Sequence, residues 1–342
     1  MKFRSLFILL LIVTLILAPA AALELSPRSP EDEPAVAETT EKPAKTTKPP
    51  GDTAAAPTTS AQDTDGHRVK LLRRESGKIE ELALEDYVTG ALAAEMPASY
   101  PAEALKAQAA ACRTNALYAR EHPDASLGGA DMSDYAGTHQ GYLDEAERRR
   151  LWGDAFDENE KLCRDAVKAT AGKILKYKDK TAFAAFHAIS CGMTESAKNV
   201  WGNDLAYLRP VNSAGDILSP DYAKSVAVPL TEFNEKLAAL DCEIRDGKIA
   251  VDKVTLTDSG YVSQVKLGGR EIKGTKLREL FALPSAAFTL TLTQAGAVFE
   301  CRGFGHGVGM SQFGARAMAQ QGSGWEEILG HYYGGLVVVG EG

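Results

Sequence analysis

Residues 26–66 constrain this chain more than any other stretch. They hold no aromatic residue, are rich in Thr, Ala and acids, and carry seven of the fifteen prolines. Such a segment cannot bury enough apolar surface to offset the entropy of ordering it. It reads as a disordered linker, an extended spacer, and it splits the 342 residues into a short leader and a foldable part from 67 to 342. In the leader, Lys2 and Arg4 precede nineteen uncharged residues, 5–23, and the first acid is Glu24. A positive flank before an apolar run directs a chain to the membrane with its N-terminus inside. At ~1.5 Å per residue the run nearly spans a hydrocarbon core of ~30 Å. Residues 1–25 are therefore read as a signal-anchor in the cell membrane. The alternative is a signal peptide cleaved after Ala18-Pro-Ala20 or Ala20-Ala-Ala22, which would release the protein. Either way the rest of the chain is expected to be extracytoplasmic.

The remainder is composed like a globular protein, the whole chain being 44% hydrophobic and 25% charged. With 38 Lys and Arg against 46 Asp and Glu, the net charge of −8 argues against nucleic-acid binding, which needs a positive field. Five scattered cysteines do not make a disulfide scaffold, and CxxC, HExxH and EF-hand patterns are missing. Strands are expected at 69–72 and 78–84 around a Glu-Ser-Gly turn. A helix follows over 84–95, where Leu84, Val88 and Leu92 share a face. Pro97 stops it, and Pro101 opens a longer helix to 120 with a stripe of mostly small residues, Leu105, Ala109, Cys112 and Ala116. A third helix is expected over 154–170. The chain then turns strand-rich: 173–177, 182–190, 250–257 and 261–267 about Asp258-Ser259-Gly260, 288–293 and 297–301. Helices over 311–320 and 325–333 close it. Helices and strands are segregated, which favours an α+β fold over α/β. Residues 211–292 read as an inserted or appended β-rich lobe that could dock partners.

Four segments could carry chemistry. Glu95, in Ala91-Leu-Ala-Ala-Glu-Met-Pro97, is the sole ionisable group of seven residues and sits at a helix C-terminus. Apolar neighbours and the helix dipole both favour its neutral form. A glutamate raised from about 4.3 to ~6–7 is suited to general acid catalysis, whereas the plainer reading is a solvated helix-end carboxylate. The second segment is Cys301-Arg-Gly-Phe-Gly-His-Gly-Val-Gly-Met-Ser-Gln-Phe-Gly-Ala315. Its glycines permit positive φ and close approach. No Lys-Ser/Thr follows and no βαβ unit surrounds it, so a phosphate or dinucleotide site is not indicated. It is either a tight packing turn or a substrate-lining loop with His306 and Gln312. In the third segment, His187 and Cys191 lie about 13 Å apart on an extended strand, too far for a thiol nucleophile and its base. The fourth, residues 131–142, is a polar loop with His139, Gln140 and Tyr142, a plain surface loop unless Tyr142 and Gln140 meet a sugar ring.

In order along the chain, these segments resemble the stage II sporulation protein D family, also described as the SpoIID/LytB or amidase-enhancer domain. The likeness runs over residues 82–339. It rests on Leu84-Glu-Asp-Tyr-Val-x-Gly-x-Leu-x-x-Glu-Met-Pro97, Leu105-Lys-Ala-Gln-Ala-Ala-Ala-Cys-Arg-Thr114, Val200-Trp-Gly202 with Tyr207-Leu208, and the glycine loop with Ile328-Leu-x-His-Tyr-Tyr333. The resemblance implies a membrane-tethered lytic transglycosylase of peptidoglycan, cutting between N-acetylmuramic acid and N-acetylglucosamine and leaving 1,6-anhydro-muramyl ends during septal wall remodelling and engulfment. The other reading is a non-catalytic peptidoglycan-binding amidase enhancer. The resemblance places catalysis on Glu95 with Arg113 supporting it, and glycan contacts on Gln140, Tyr142, His187, Ser190, Thr194, His306 and Gln312. It suggests peptide-stripped glycan strands as substrate, with a partner amidase/endopeptidase and a multispanning membrane protein. Some members hold zinc in the segment matching 132–140. Here that stretch offers only His139, so neither a metal nor another cofactor is expected. The family's Ser-Thr-Ser-Gly reads Ala188-Ile-Ser-Cys191 here.

Overall fold

In the computed structural model, which describes residues 68–135 and 137–340, the chain begins with a hairpin of β1 (Arg68–Leu72) and β2 (Ile79–Ala83). The leader and linker expected at 1–25 and 26–66 lie outside the described residues. Helix α1 (Leu84–Glu95) follows β2 directly, and Met96 leaves it with φ −132° and ψ 136°, the extended conformation a following proline imposes. Helix α2 (Ala102–Glu121) starts behind Pro101. Half of its buried residues are Ala, the others being Leu105, Leu117, Gln108, Cys112, Arg113 and Thr114. The small side chains let α1 and later elements pack closely around α2. β3 (Met132–Ser133) then joins β1 in parallel, giving the sheet order β2-β1-β3.

A helix that no apolar stripe announced, α3 (Glu145–Trp152), comes next. It is nucleated by a capping box in which Asp144 accepts Glu147 N–H and Glu147 accepts Asp144 N–H, both at 2.7 Å. A short 3-10 turn leads into α4 (Phe156–Ala169), so the helix expected from 154 starts at Phe156. β4 (Lys173–Tyr177) and β5 (Lys180–Thr181) flank a tight turn. The strand expected over 182–190 shrinks to β6 (Phe186–His187). Beyond it the backbone pairs with the glycine loop through isolated bridges, Ile189 with Phe304 and Glu195 with Val308. The short α5 (Ala197–Trp201) follows.

The chain then leaves for a second lobe. There β7 (Ala223–Pro229), α6 (Leu230–Ala238), β8 (Val251–Leu256), β9 (Val262–Leu267), β10 (Arg270–Lys273), α7 (Gly274–Leu280), β11 (Phe288–Leu292) and β12 (Gly296–Arg302) form two three-stranded sheets, β10-β9-β8 and β11-β12-β7. This lobe has its own core, with Phe281, Phe288 and Phe299 grouped around Phe233 and Leu277. The core runs from Val228 to Cys301, past the 292 expected, because β12 pairs with both β7 and β11. The chain comes back beside the point where it left, Gly303 N–H donating to Tyr222 O at 2.7 Å. β13 (Met310–Ser311) pairs in parallel with β6. α8 (Gln312–Gln320) and α9 (Trp325–Tyr332) pack on α2, and β14 (Val337–Gly340) completes the sheet β14-β4-β5. The architecture is thus α+β, with the second lobe inserted between two parts of the first.

Arg113 corrects one expectation. It is fully buried on α2, and its guanidinium forks onto Glu85 at 2.8 and 2.6 Å while donating to Lys173 O and Val167 O at 3.2 and 3.3 Å. Glu85 opens α1 and Glu95 ends it; ten residues of helix rise ~15 Å. The arginine is committed to the far end of α1 and does not orient Glu95. It ties the start of α1 to α4 and β4. Replacing it with Ala leaves buried carbonyls without donors and Glu85 without its partner. We expect R113A to lose about 3 kcal/mol of stability, read as a lowered midpoint in urea denaturation; a loss under 1 kcal/mol would remove this anchoring role.

Candidate active site

Glu95 sits where α1 ends, half-buried, with Ala93 and Met96 beside it fully buried. The loop after β3 folds over this end of the helix. Gly141 donates its backbone N–H to Glu95 Oε1. A Cβ on Gly141 would lie 3.2 Å from that oxygen and 3.1 Å from Ala94 Cβ, so the absence of a side chain is what lets the backbone come this close. Next to it Tyr142 crosses Gly90 and stacks flat on Tyr87, ring centroids 5.5 Å apart. No basic side chain forms an ion pair with Glu95 among the described residues. Burial raises its carboxyl to about 7, and the one N–H of Gly141 offsets only part of that. Nor does another acid bear on it. The carboxyl is therefore half protonated near neutrality.

Gln140 is buried beneath this loop, donating to Tyr87 Oη at 2.9 Å and to Cys112 O at 3.0 Å, with its own Oε1 unpartnered. From Cys112 a buried chain runs along α2: Gln108 donates to Cys112 Sγ and accepts from Gln312 Nε2, each at 3.4 Å. Gln312 opens α8. The α2 helix so connects the Glu95 loop with a second group of expected residues on the glycine loop.

That group is assembled by the pairing of β6 with β13, which sets His187 opposite Ser311. Gly303, Gly305, Gly307 and Gly309 all have positive φ. At Gly305 a Cβ would lie 2.8 Å from His187 Cβ, and at Gly307 it would strike the Tyr261 hydroxyl at 2.5 Å and its ring at 2.6 Å. The alternating glycines thus serve tight packing and bring His306 to 5.7 Å from His187 and 5.0 Å from the half-exposed Trp201, ring to ring. His187 hydrogen-bonds Val308 O through Nδ1 at 3.1 Å, while its buried Nε2 has no partner. Burial pushes it down to about 4, and His306 well below its usual value. Both are neutral at pH 7.

Ser190 and Thr194 are turned to structural work. Ser190 Oγ accepts Gly192 N–H, and Thr194 is folded into a backbone bridge with Val211, accepting its N–H at 2.9 Å. Thr194 is buried against that bridge and presents no free hydroxyl. Asp216, which the sequence did not single out, is wholly buried and accepts from Ser190 N–H at 2.8 Å and Ser311 Oγ at 2.7 Å. One carboxyl thereby fixes both the segment after β6 and the start of α8. Its partners are distant in sequence, so no local pattern announces it. Gly141 was equally hidden, because a backbone donor leaves no side-chain signal. His139 Nδ1 lies 3.2 Å from Ser133 Oγ and 3.1 Å from Thr138 Oγ1. No cluster of three or more His, Cys, Asp or Glu suited to a metal occurs among the described residues. These residues do not fit a zinc ion.

A carboxyl held near neutrality by burial, with no cation beside it among the described residues and an aromatic, amide-rich floor next to it, is a candidate for general acid–base chemistry. The chain has relatives among known proteins. A profile of the Stage II sporulation protein family matches residues 73–177. Stage II sporulation protein D of Bacillus subtilis (strain 168) is 36% identical over 274 residues, 79% of this chain and 78% of that protein. Its namesake in Bacillus amyloliquefaciens is 35% identical over 270 residues, covering 78% and 77%. The amidase enhancer of B. subtilis is 25% identical over 309 residues, 73% of this chain and 40% of that protein. The chain belongs to the stage II sporulation protein D family.

The Gly141 contact gives a direct test. In G141A the new methyl group crowds the Glu95 carboxyl and weakens the one hydrogen bond it makes among the described residues. We expect a stability loss of about 1–3 kcal/mol from overpacking and a Glu95 titration midpoint, followed by carboxyl 13C NMR, above the wild-type value of about 7. A midpoint that stays put or falls would show that the Gly141 N–H does not stabilise the ionised form.

Proposed function

We propose that this protein is a peptidoglycan lytic transglycosylase that cuts glycan strands between N-acetylmuramic acid and N-acetylglucosamine. The observation that carries this reading is the isolation of Glu95: raised to about 7, with no second acid acting on it among the described residues. Glycoside hydrolysis normally takes two carboxyl groups, one of them to activate water or attack the sugar. A transglycosylase needs one. Protonated Glu95 donates to the bridging oxygen, and the glycosidic bond breaks. The muramyl 6-hydroxyl attacks the anomeric carbon, and ionised Glu95 takes its proton, leaving a 1,6-anhydro end and a regenerated acid. An internal nucleophile has a large effective molarity, so no water-activating partner is required. Tyr142 offers a ring face beside the carboxyl, and Gly141 N–H steadies the ionised state between the two proton transfers.

Family membership and the leader support a wider role. A signal-anchor and long spacer would hold the domain outside the cytoplasm, within reach of the septal wall remodelled in sporulation and engulfment. Peptide-stripped strands would be supplied by a partner amidase/endopeptidase, with a multispanning membrane protein as a further partner. The likeness to an amidase enhancer favours a second reading, a non-catalytic module that binds glycan and stimulates an amidase.

The two readings separate on incubation with peptide-free glycan strands. We expect anhydro-muramyl ends by mass spectrometry, lost in E95Q; glycan binding without such ends, with stimulation of an amidase, would favour the enhancer. The pH dependence has a definite sign. The first step requires protonated Glu95, so the rate falls about tenfold per unit above pH 7. Because burial raises this carboxyl above its unfolded value, its contribution to stability is complete below about pH 4.3 and is lost as pH rises through 7. E95Q should therefore be more stable than wild type at pH 8, on the order of 1–2 kcal/mol, with the gap closing at pH 4; equal melting curves at pH 8 would contradict the raised value.

A further inference from the structure

Arg113 does not serve Glu95, but a second arginine is placed to do so by another route. Arg73 follows β1 with its side chain only 12% exposed, and three acids meet its guanidinium. Nε lies 3.2 Å from Asp134 Oδ2, and Nη2 lies 2.8 Å from Glu147 Oε2 and 3.6 Å from Asp144 Oδ2. Burial works against its charge, yet Glu147 above all, with Asp134 and Glu80, raises its pKa beyond the ordinary value. It is a permanent cation. Lying here costs it a hydrogen bond, since its buried Nη1 has no partner among the described residues.

The three acids are not neighbours in the chain. Asp134 comes directly after β3, where the loop over Glu95 begins, whereas Asp144 and Glu147 form the capping box of α3, where that loop ends. One guanidinium therefore joins the start of the loop to its end. It also meets the middle: Arg73 Cζ lies 5.1 Å from the centroid of the Tyr142 ring, within cation–π range. Tyr142 rests on Gly90 and Tyr87 of α1, and Leu143 donates its N–H to Gly90 O at 3.2 Å. Gly141, one residue earlier, supplies the N–H that meets Glu95. Arg148 donates to Leu143 O at 2.7 Å, but that bond sits at the α3 end of the loop. Among the described residues, burial and the Gly141 N–H are what set the Glu95 carboxyl, so the charge of Arg73 does not act on it directly.

We propose that Arg73 is a positioning residue for Glu95: by clamping the loop after β3 at its start, at its end and on the Tyr142 ring, it holds the loop backbone over the carboxyl and keeps water out. This rests on the reading of Glu95 as the acid of a glycan-cleaving site, and adds to it a residue that acts through the loop. The device is exclusion of water, not charge. Released from the clamp, the loop lifts from α1, and Glu95 loses both the cover that disfavours its ionised form and the N–H that favours it. Burial is the larger of the two, so the carboxyl turns into a more ordinary one.

The test titrates Glu95 by carboxyl 13C NMR in the full chain carrying R73M or R73K. Methionine keeps an apolar stem without charge; lysine keeps the charge but replaces the fork with a single point. We expect the midpoint to fall from about 7 to about 6 or lower in R73M, towards the ~4.3 of an exposed glutamate, and to lie between these in R73K. G141A, which raises the midpoint in the parent, should not move it in the double variant R73M/G141A, because the N–H has already left the carboxyl. A folded R73M whose midpoint stays at about 7 overturns the proposal; a mere loss of stability leaves the titration of the folded state where it was. A rise overturns it too, since the loop would then still cover the carboxyl, and so does a G141A effect of full size in the R73M background. Should R73M fail to fold, R73K decides alone, an unmoved midpoint again refuting the clamp. The titration needs no substrate. Where strands are cut, release of anhydro-muramyl ends at pH 8 should be about tenfold slower in R73M, following the midpoint. A midpoint that moves as expected in a protein that makes no such ends leaves the clamp standing and removes the transglycosylase alone.

Discussion

The structure turns on an imbalance at one carboxyl. Removing Glu95 from water disfavours its ionised form, and among the described residues only the Gly141 N–H opposes that. Had Arg113 faced Glu95, as the resemblance implied, its charge would have drawn the carboxyl back to an ordinary acid and left it ionised at neutral pH. The fold prevents this by geometry. The arginine is bonded to the opposite end of α1, where it stabilises the scaffold without touching the electrostatics of the site.

Around that carboxyl the molecule is assembled by close backbone approach. Gly90 and Gly141 let the loop after β3 lie on α1, and the alternating glycines of residues 303–309 let one strand of chain pass between the His187 segment and Tyr261. Buried hydrogen bonds then carry position from one group to the other: Gln140 to Cys112, Cys112 to Gln108, Gln108 to Gln312, and Asp216 to Ser190 and Ser311. Polar groups sealed from water tolerate little error in placement.

Much of this was legible in the sequence, and what was not has identifiable causes. Glu95 stood out because it is alone among apolar residues before a proline, and those same features desolvate it in the fold. The stripe of small residues on α2 was equally plain. Arg113 was misplaced because a position in the next helix does not tell which end of the preceding one it meets. Thr194 was misread because its hydroxyl is consumed by the Val211 backbone. Helix α3 has no apolar stripe, yet its Asp144 and Glu147 capping pair was there to be noticed. The 182–190 strand dissolved because its backbone partners are glycines at bridging positions rather than a second regular strand.

The inserted second lobe leaves and rejoins the first at neighbouring points, joined by the Gly303 to Tyr222 hydrogen bond. Elsewhere it is latched by side chains at the tip of the β8–β9 hairpin, Thr257 to Glu195 and Tyr261 to Met193 O. It is attached like a page to a spine with a clasp on the open edge. The glycine run is the margin next to that spine, so His306 on it, and His187 packed against it from β6, sit where the two lobes meet.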